Sequence, residues 1–86
     1  MPTRIVPVGS SVGLHARPAA VIAAKAAELG SDITLWVEGE EEPVDAGSAL
    51  MIMTLGAGHG DLVTVESDDE AALARITELV AADLDA

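Results

Sequence analysis

Between residues 16 and 30 the apolar positions fall at Ala19, Ile22, Ala23, Ala26 and Leu29, the three-and-four spacing of one helix face. Gly30 supplies the stop, and Pro18 is tolerated in the first turn, where backbone amides have no intrahelical partner. This is the best-defined helix of the chain. Residues 3–8, TRIVPV, form a short apolar-rich run containing Pro7, which fits an edge strand or the end of one; Gly9, Ser10, Ser11 and Gly13 break it. Residues 32–37, DITLWV, place Ile33, Leu35 and Val37 on one side and predict a second strand.

Carboxylates then crowd the chain at Glu38, Glu40, Glu41, Glu42 and Asp45, interrupted by Gly39 and Pro43. Like charges at this density resist burial, so the segment predicts a turn with room for a short edge strand at its end. SALMIMTL, residues 48–55, is apolar nearly throughout, and its Ala, Leu and Met content favours a short helix stopped by Gly56. DLVTV, residues 61–65, reads as the last strand. Ser67 and Glu70 have the spacing of a capping box, with Asp68 and Asp69 favourable beside a helix N-terminus. The helix that follows places Leu73, Ile76, Leu79, Val80 and Leu84 on one face. The order of strands and helices, with hairpin-like connections and helices sharing one side, predicts an α+β sandwich of two layers.

The 86 residues are half hydrophobic, enough for one domain spanning residues 1–86 and not for two. No repeat or linker divides them. Cysteine is absent, which removes disulfides and thiolate metal sites. The opening MPTRIVPVGSS lacks the apolar run of a signal peptide, and no stretch approaches the ~20 apolar residues of a membrane span. A soluble cytoplasmic protein without membrane insertion is the expectation.

The net charge of −11 is unevenly spread: residues 1–31 carry +2 and residues 32–86 carry −13. Such a balance argues against nucleic acid and anionic lipid as partners. Solubility accounts for the carboxylates; they show no EF-hand spacing, and no metal or other cofactor is expected.

The locally positive segment contains GLHARPAA, residues 13–20. His15 stands just before a helical turn whose amides are unpaired and whose dipole is positive, together an anion site. An imidazole there offers a nucleophilic ring nitrogen, and a phosphoryl group acquired on it meets those amides and the Arg17 guanidinium. Phosphoryl transfer depends mainly on such positioning and charge stabilisation. Hydrolysis fits less well, since no second general base lies nearby and the chain has no GxGxxG motif, P-loop or metal-spaced histidine pair. His59, in GAGHGD, is expected to be structural. On residues alone, a small regulatory or ligand-binding domain with His15 as a mere helix cap stays open, and a small phosphatase has no motif to support it.

GLHARPAA resembles the active-site signature of the HPr family, the histidine phosphocarriers of the bacterial phosphoenolpyruvate:sugar phosphotransferase system. A second stretch, DAGSALMIMTLGAGHGD, is similar to the region where that family has its regulatory serine and short helix. The resemblance spans nearly the whole chain. It implies an open-faced sandwich of four antiparallel strands covered on one face by three helices. It further implies a relay and not an enzyme with its own turnover: His15 accepts a phosphoryl group from phospho-Enzyme I and passes it to Enzyme IIA components for sugar uptake. Arg17 would stabilise the group, Ala16 and Arg17 would offer amides, and Pro18 would fix the turn. A phosphorelay of the regulatory kind would use the same chemistry with other recipients.

The same resemblance assigns partner docking to Ala49, Leu50, Met53 and Thr54 of the short helix, where exposed apolar side chains and adaptable methionine suit a transient interface. A relay that meets two partners through one face works as a monomer. Ser48 matches a serine that some relatives phosphorylate, and it equally suits a helix N-cap. Gly47 and the acidic run before it depart from the family pattern and make added phosphate less favourable there.

Overall fold

The computed structural model describes residues 2–39 and 42–83. Its elements are β1 (Thr3–Pro7), α1 (Ala16–Leu29), β2 (Ile33–Val37), β3 (Val44–Asp45), α2 (Ala49–Thr54), β4 (Leu62–Ser67) and α3 (Glu70–Ala81). The strands form one antiparallel sheet in the order β1-β4-β2-β3. This is the four-stranded, three-helix open sandwich anticipated from the sequence. Expected positions Glu40, Glu41 and Leu84 lie outside the described residues.

Alternation along the strands sorts the two faces of the sheet. Ile33 and Leu35 of β2 and Val63 and Val65 of β4 are buried in one core with Ile22 of α1, Ile52 of α2 and Leu73, Ile76 and Val80 of α3. Among the described residues the opposite face carries no helix. There Thr64 is cross-strand neighbour to Ile5 on one side and Trp36 on the other. Thr64 is buried although it faces away from the core, because a central strand is shielded by its neighbours. That explains why DLVTV alternates imperfectly. Pro7 closes β1 on the sheet edge, where its missing N–H breaks no ladder.

Two expectations around the last helix are corrected. The strand runs on to Ser67 instead of ending at Val65, and Ser67 pairs with Ile33 in the ladder. The N-cap is therefore Asp69, and the capping box of Ser67 with Glu70 does not form. Asp69 Oδ1 accepts from the amides of Ala71 at 3.0 Å and Ala72 at 3.2 Å. Ser67, drawn into the sheet and buried, uses its hydroxyl to accept from the Asp69 amide at 3.2 Å. A carboxylate suits the positive end of the helix dipole better than a hydroxyl, and Asp69 stands one residue before the first helical turn.

Candidate functional site

Helix α1 begins at Ala16 with His15 as its N-cap in an extended conformation, and the His15 side chain makes no capping hydrogen bond. The His15 carbonyl already accepts from the Ala19 amide at 2.9 Å. Pro18, third in the helix, has no amide to satisfy. The amides of Ala16 and Arg17 are thus the two first-turn donors without an intrahelical acceptor. His15, Ala16 and Arg17 are all exposed, whereas Pro18 and Ala19 are buried and fasten the turn to the core. Among the described residues, the Arg17 guanidinium has no ion pair, in contrast to Lys25 with Glu28 and Arg75 with Glu78. The two groups of a phosphate-handling set, imidazole and guanidinium, are both unencumbered.

Backbone hydrogen bonds place this turn. The Leu14 amide donates to the Ala57 carbonyl at 2.9 Å, and the Leu14 side chain is buried in the core. Gly13 has φ +77°, the left-handed region, and a Cβ there would collide with the carbonyl oxygen of Ala57. A glycine at this position lets the two loops touch and sets the direction in which the chain enters α1.

Helix α2 lies against α1. Ser48 caps it by accepting from the Met51 amide at 3.2 Å, so the capping role assigned to Ser48 is realised. Asp45 shapes the approach, its Oδ1 accepting from the Gly47 amide at 2.9 Å. Ile52 is the buried anchor of α2, while Leu50 is 69% exposed. Met53 and Ala49 are half-buried. A shallow cavity of about 200 Å³ lies between His15, Met53, Val12, Leu14, Ala57 and Gly58, which brings Met53 beside the histidine. Thr54 faces elsewhere: with Met51, Glu42, Val44 and Leu55 it lines a separate cavity of about 220 Å³ on the other flank of α2, and its hydroxyl donates to the Met51 carbonyl.

Besides Leu50, five large apolar residues are exposed among the described residues: Ile5 and Leu62 on the sheet, and Val12 at 59%, Met51 at 43% and Val21 at 38% in the loop before α1 and on the helices. Val12 belongs to a glycine-interrupted loop with no periodicity, and Val21 falls off the Ala19–Ile22–Ala23–Ala26 face, which is the signal that could have revealed it. Segments 2–27 and 46–60, which supply His15, Arg17 and α2, contain none of the fifteen acidic residues of the chain. The candidate site is thus an apolar surface bearing a cation that has no ion pair among the described residues, within a strongly acidic molecule.

A family model described as the PTS HPr component phosphorylation site matches residues 2–82. The chain belongs to the HPr family. Phosphocarrier protein HPr of Streptomyces coelicolor is 40% identical over 88 residues, covering 99% of this chain and 94% of that protein. Phosphocarrier protein HPr of Haloferax volcanii is 38% identical over 80 residues, with 90% of each covered. The crystal structure of HPr from Bacillus anthracis matches with a TM-score of 0.80 at 34% identity, over 92% of this chain and 95% of that one. HPr proteins are phosphocarriers of the phosphotransferase system, and the open sandwich described above is their fold. Among the described residues no helix is long and apolar enough to cross a membrane.

Proposed function

We propose that this HPr-family chain is a cytoplasmic relay that accepts a phosphoryl group on the δ nitrogen of His15 from phospho-Enzyme I and delivers it to Enzyme IIA components. The observation that carries this reading is the His15 N-cap itself: an exposed ring with no capping bond, beside two first-turn amides and an arginine without an ion pair among the described residues. In the transfer the N–P bond to His15 forms as the donor's phosphorus–nitrogen bond breaks. The amides of Ala16 and Arg17 and the Arg17 guanidinium supply donors to the phosphoryl oxygens, where negative charge concentrates. Pro18 holds the first turn in place without competing for those oxygens.

Docking falls to the apolar surface around the histidine, with Leu50, Ala49 and Met53 of α2 as contacts and Thr54 at its far edge. Leu50 is exposed without a packing role that would explain it. The absence of carboxylates from the two segments forming this surface lets an acidic partner approach a molecule that otherwise repels it. A monomer suffices, because donor and recipient use the surface in turn. Ser48 as a phosphorylation site is the weaker reading, since its oxygen already serves α2 as a cap.

Incubation with phosphoenolpyruvate and a cognate Enzyme I, followed by phosphorus NMR, tests the relay. An acid-labile phosphohistidine signal that disappears in a folded His15→Ala variant is the expected result. A competent Enzyme I that leaves the wild-type chain unlabelled overturns it.

A further inference from the structure

His59 ties the loop before α1 to the loop after α2. Its Nδ1 lies 3.1 Å from the carbonyl oxygen of Ser10. A carbonyl only accepts, so Nδ1 carries the proton in this contact. The ring is held out by a well-defined turn: the Gly58 amide donates to Asp61 Oδ2 at 2.8 Å, the Asp61 amide donates to the Gly58 carbonyl at 3.0 Å, and Gly60 adopts φ +84°.

The segment it grips is a second turn, in which the Gly13 amide donates to the same Ser10 carbonyl at 3.0 Å. Backbone bonds secure both ends of that segment. The Gly60 amide donates to the Val8 carbonyl, the Val8 amide to the Asp61 carbonyl and the Leu14 amide to the Ala57 carbonyl, each at 2.9 Å. Between these ends the chain carries exposed Val12 and leads into His15. The Gly9 amide also donates to the Val80 carbonyl at 3.0 Å and Ser10 is buried, so the His59 bond adds a side-chain tie at the point where the chain leaves this anchored stretch for exposed Ser11 and Val12.

We propose that His59 is a positioning residue for phosphoryl transfer: its Nδ1–H holds the Ser10–Gly13 turn against the 57–61 loop and so presets Val12 and the entry into α1 for the partner. This role rests on the relay reading above. A loop released from the tie samples other conformations, and the affinity of a partner falls with the fraction of molecules in the competent one. The transfer step inside the assembled complex is unaffected, because His59 touches no reacting atom.

Two measurements on the full chain test the proposal. Ring nitrogen shifts of uncharged His59 should show the proton on Nδ1, the opposite of the tautomer that free imidazole side chains favour. In steady-state phosphorylation by phospho-Enzyme I, His59→Leu should raise KM about 3- to 10-fold with kcat unchanged, as loss of one ordinary hydrogen bond allows. His59→Asn, whose amide Nδ2–H can stand in for the ring Nδ1–H, should stay within about twofold of wild type. A proton found on Nε2, an unchanged KM in His59→Leu, or an equal defect in His59→Asn overturns the role. A wild-type chain that accepts no phosphoryl group overturns the relay and this role together, while the nitrogen shifts report separately on whether the tie forms.

Discussion

Gly13 and Ala57 touch backbone to backbone, so closely that a side chain on Gly13 would overlap the Ala57 carbonyl, and His15 follows only two residues later. Gly13→Ala meets two penalties, a left-handed φ and a collision with backbone that cannot swing aside. Together these should cost about 2–4 kcal/mol of stability. Urea unfolding measures the loss, and phosphorylation at a temperature where the variant is still folded should be slowed, because the entry into α1 is displaced.

Arg17 is exposed and without an ion pair among the described residues, so replacing it removes charge stabilisation and little packing. Arg17→Gln should slow transfer from phospho-Enzyme I by roughly 10- to 100-fold, the value of one or two charge-assisted hydrogen bonds. Arg17→Lys should recover part of that rate, since an ammonium keeps the charge but not the planar fork. Rapid-quench kinetics read both, and thermal melts should coincide with wild type.

Neighbouring residues of α2 should separate binding from stability. Leu50→Ala should weaken Enzyme I binding roughly tenfold and leave the unfolding midpoint in place. Ile52→Ala, in contrast, opens a cavity under the same helix and should cost about 2–4 kcal/mol. Calorimetric titration and denaturant unfolding on the pair give the two readouts.

The Asp69 carboxyl is held below its ordinary range by the hydrogen bond from Ser31, then by the amides of Ala72 and Ala71. A carboxylate with a depressed folded pKa stabilises the fold above its unfolded value, near 3.9, and that contribution vanishes as pH falls through the folded value. Wild type should therefore melt above Asp69→Ala at neutral pH, with the gap closing below about pH 4. Ser31→Ala should narrow the same gap. Melting temperatures measured from pH 7 down to pH 2 check the sign.

Periodicity carried the fold, because each helix and strand has one buried face and the alternation of Ile33 and Leu35 or the spacing of Ile22 and Ala26 survives intact in the structure. The end of β4 was illegible because Ser67 has two competing uses, and only the ladder with Ile33 decides between them. His15 and Arg17 were legible as local chemistry at a helix start. Val12 and Met51 were not, since an exposed valine or methionine reads the same as a buried one until its surroundings are known, whereas the exposure of Val21 was written in its place off the apolar face of α1. The bond from His59 to Ser10 spans 49 positions and has no local signature at all.

The uncovered face of the sheet holds Trp36, the chain's single aromatic residue, in register with Thr64 and Ile5 and on the side opposite the helices. Its indole emission is thus an optical reporter of sheet integrity, placed away from the proposed phosphorylation and docking surface of α1 and α2. Any of the variants above can be checked for folding in the same cuvette in which its phosphoryl transfer is followed, without an added label.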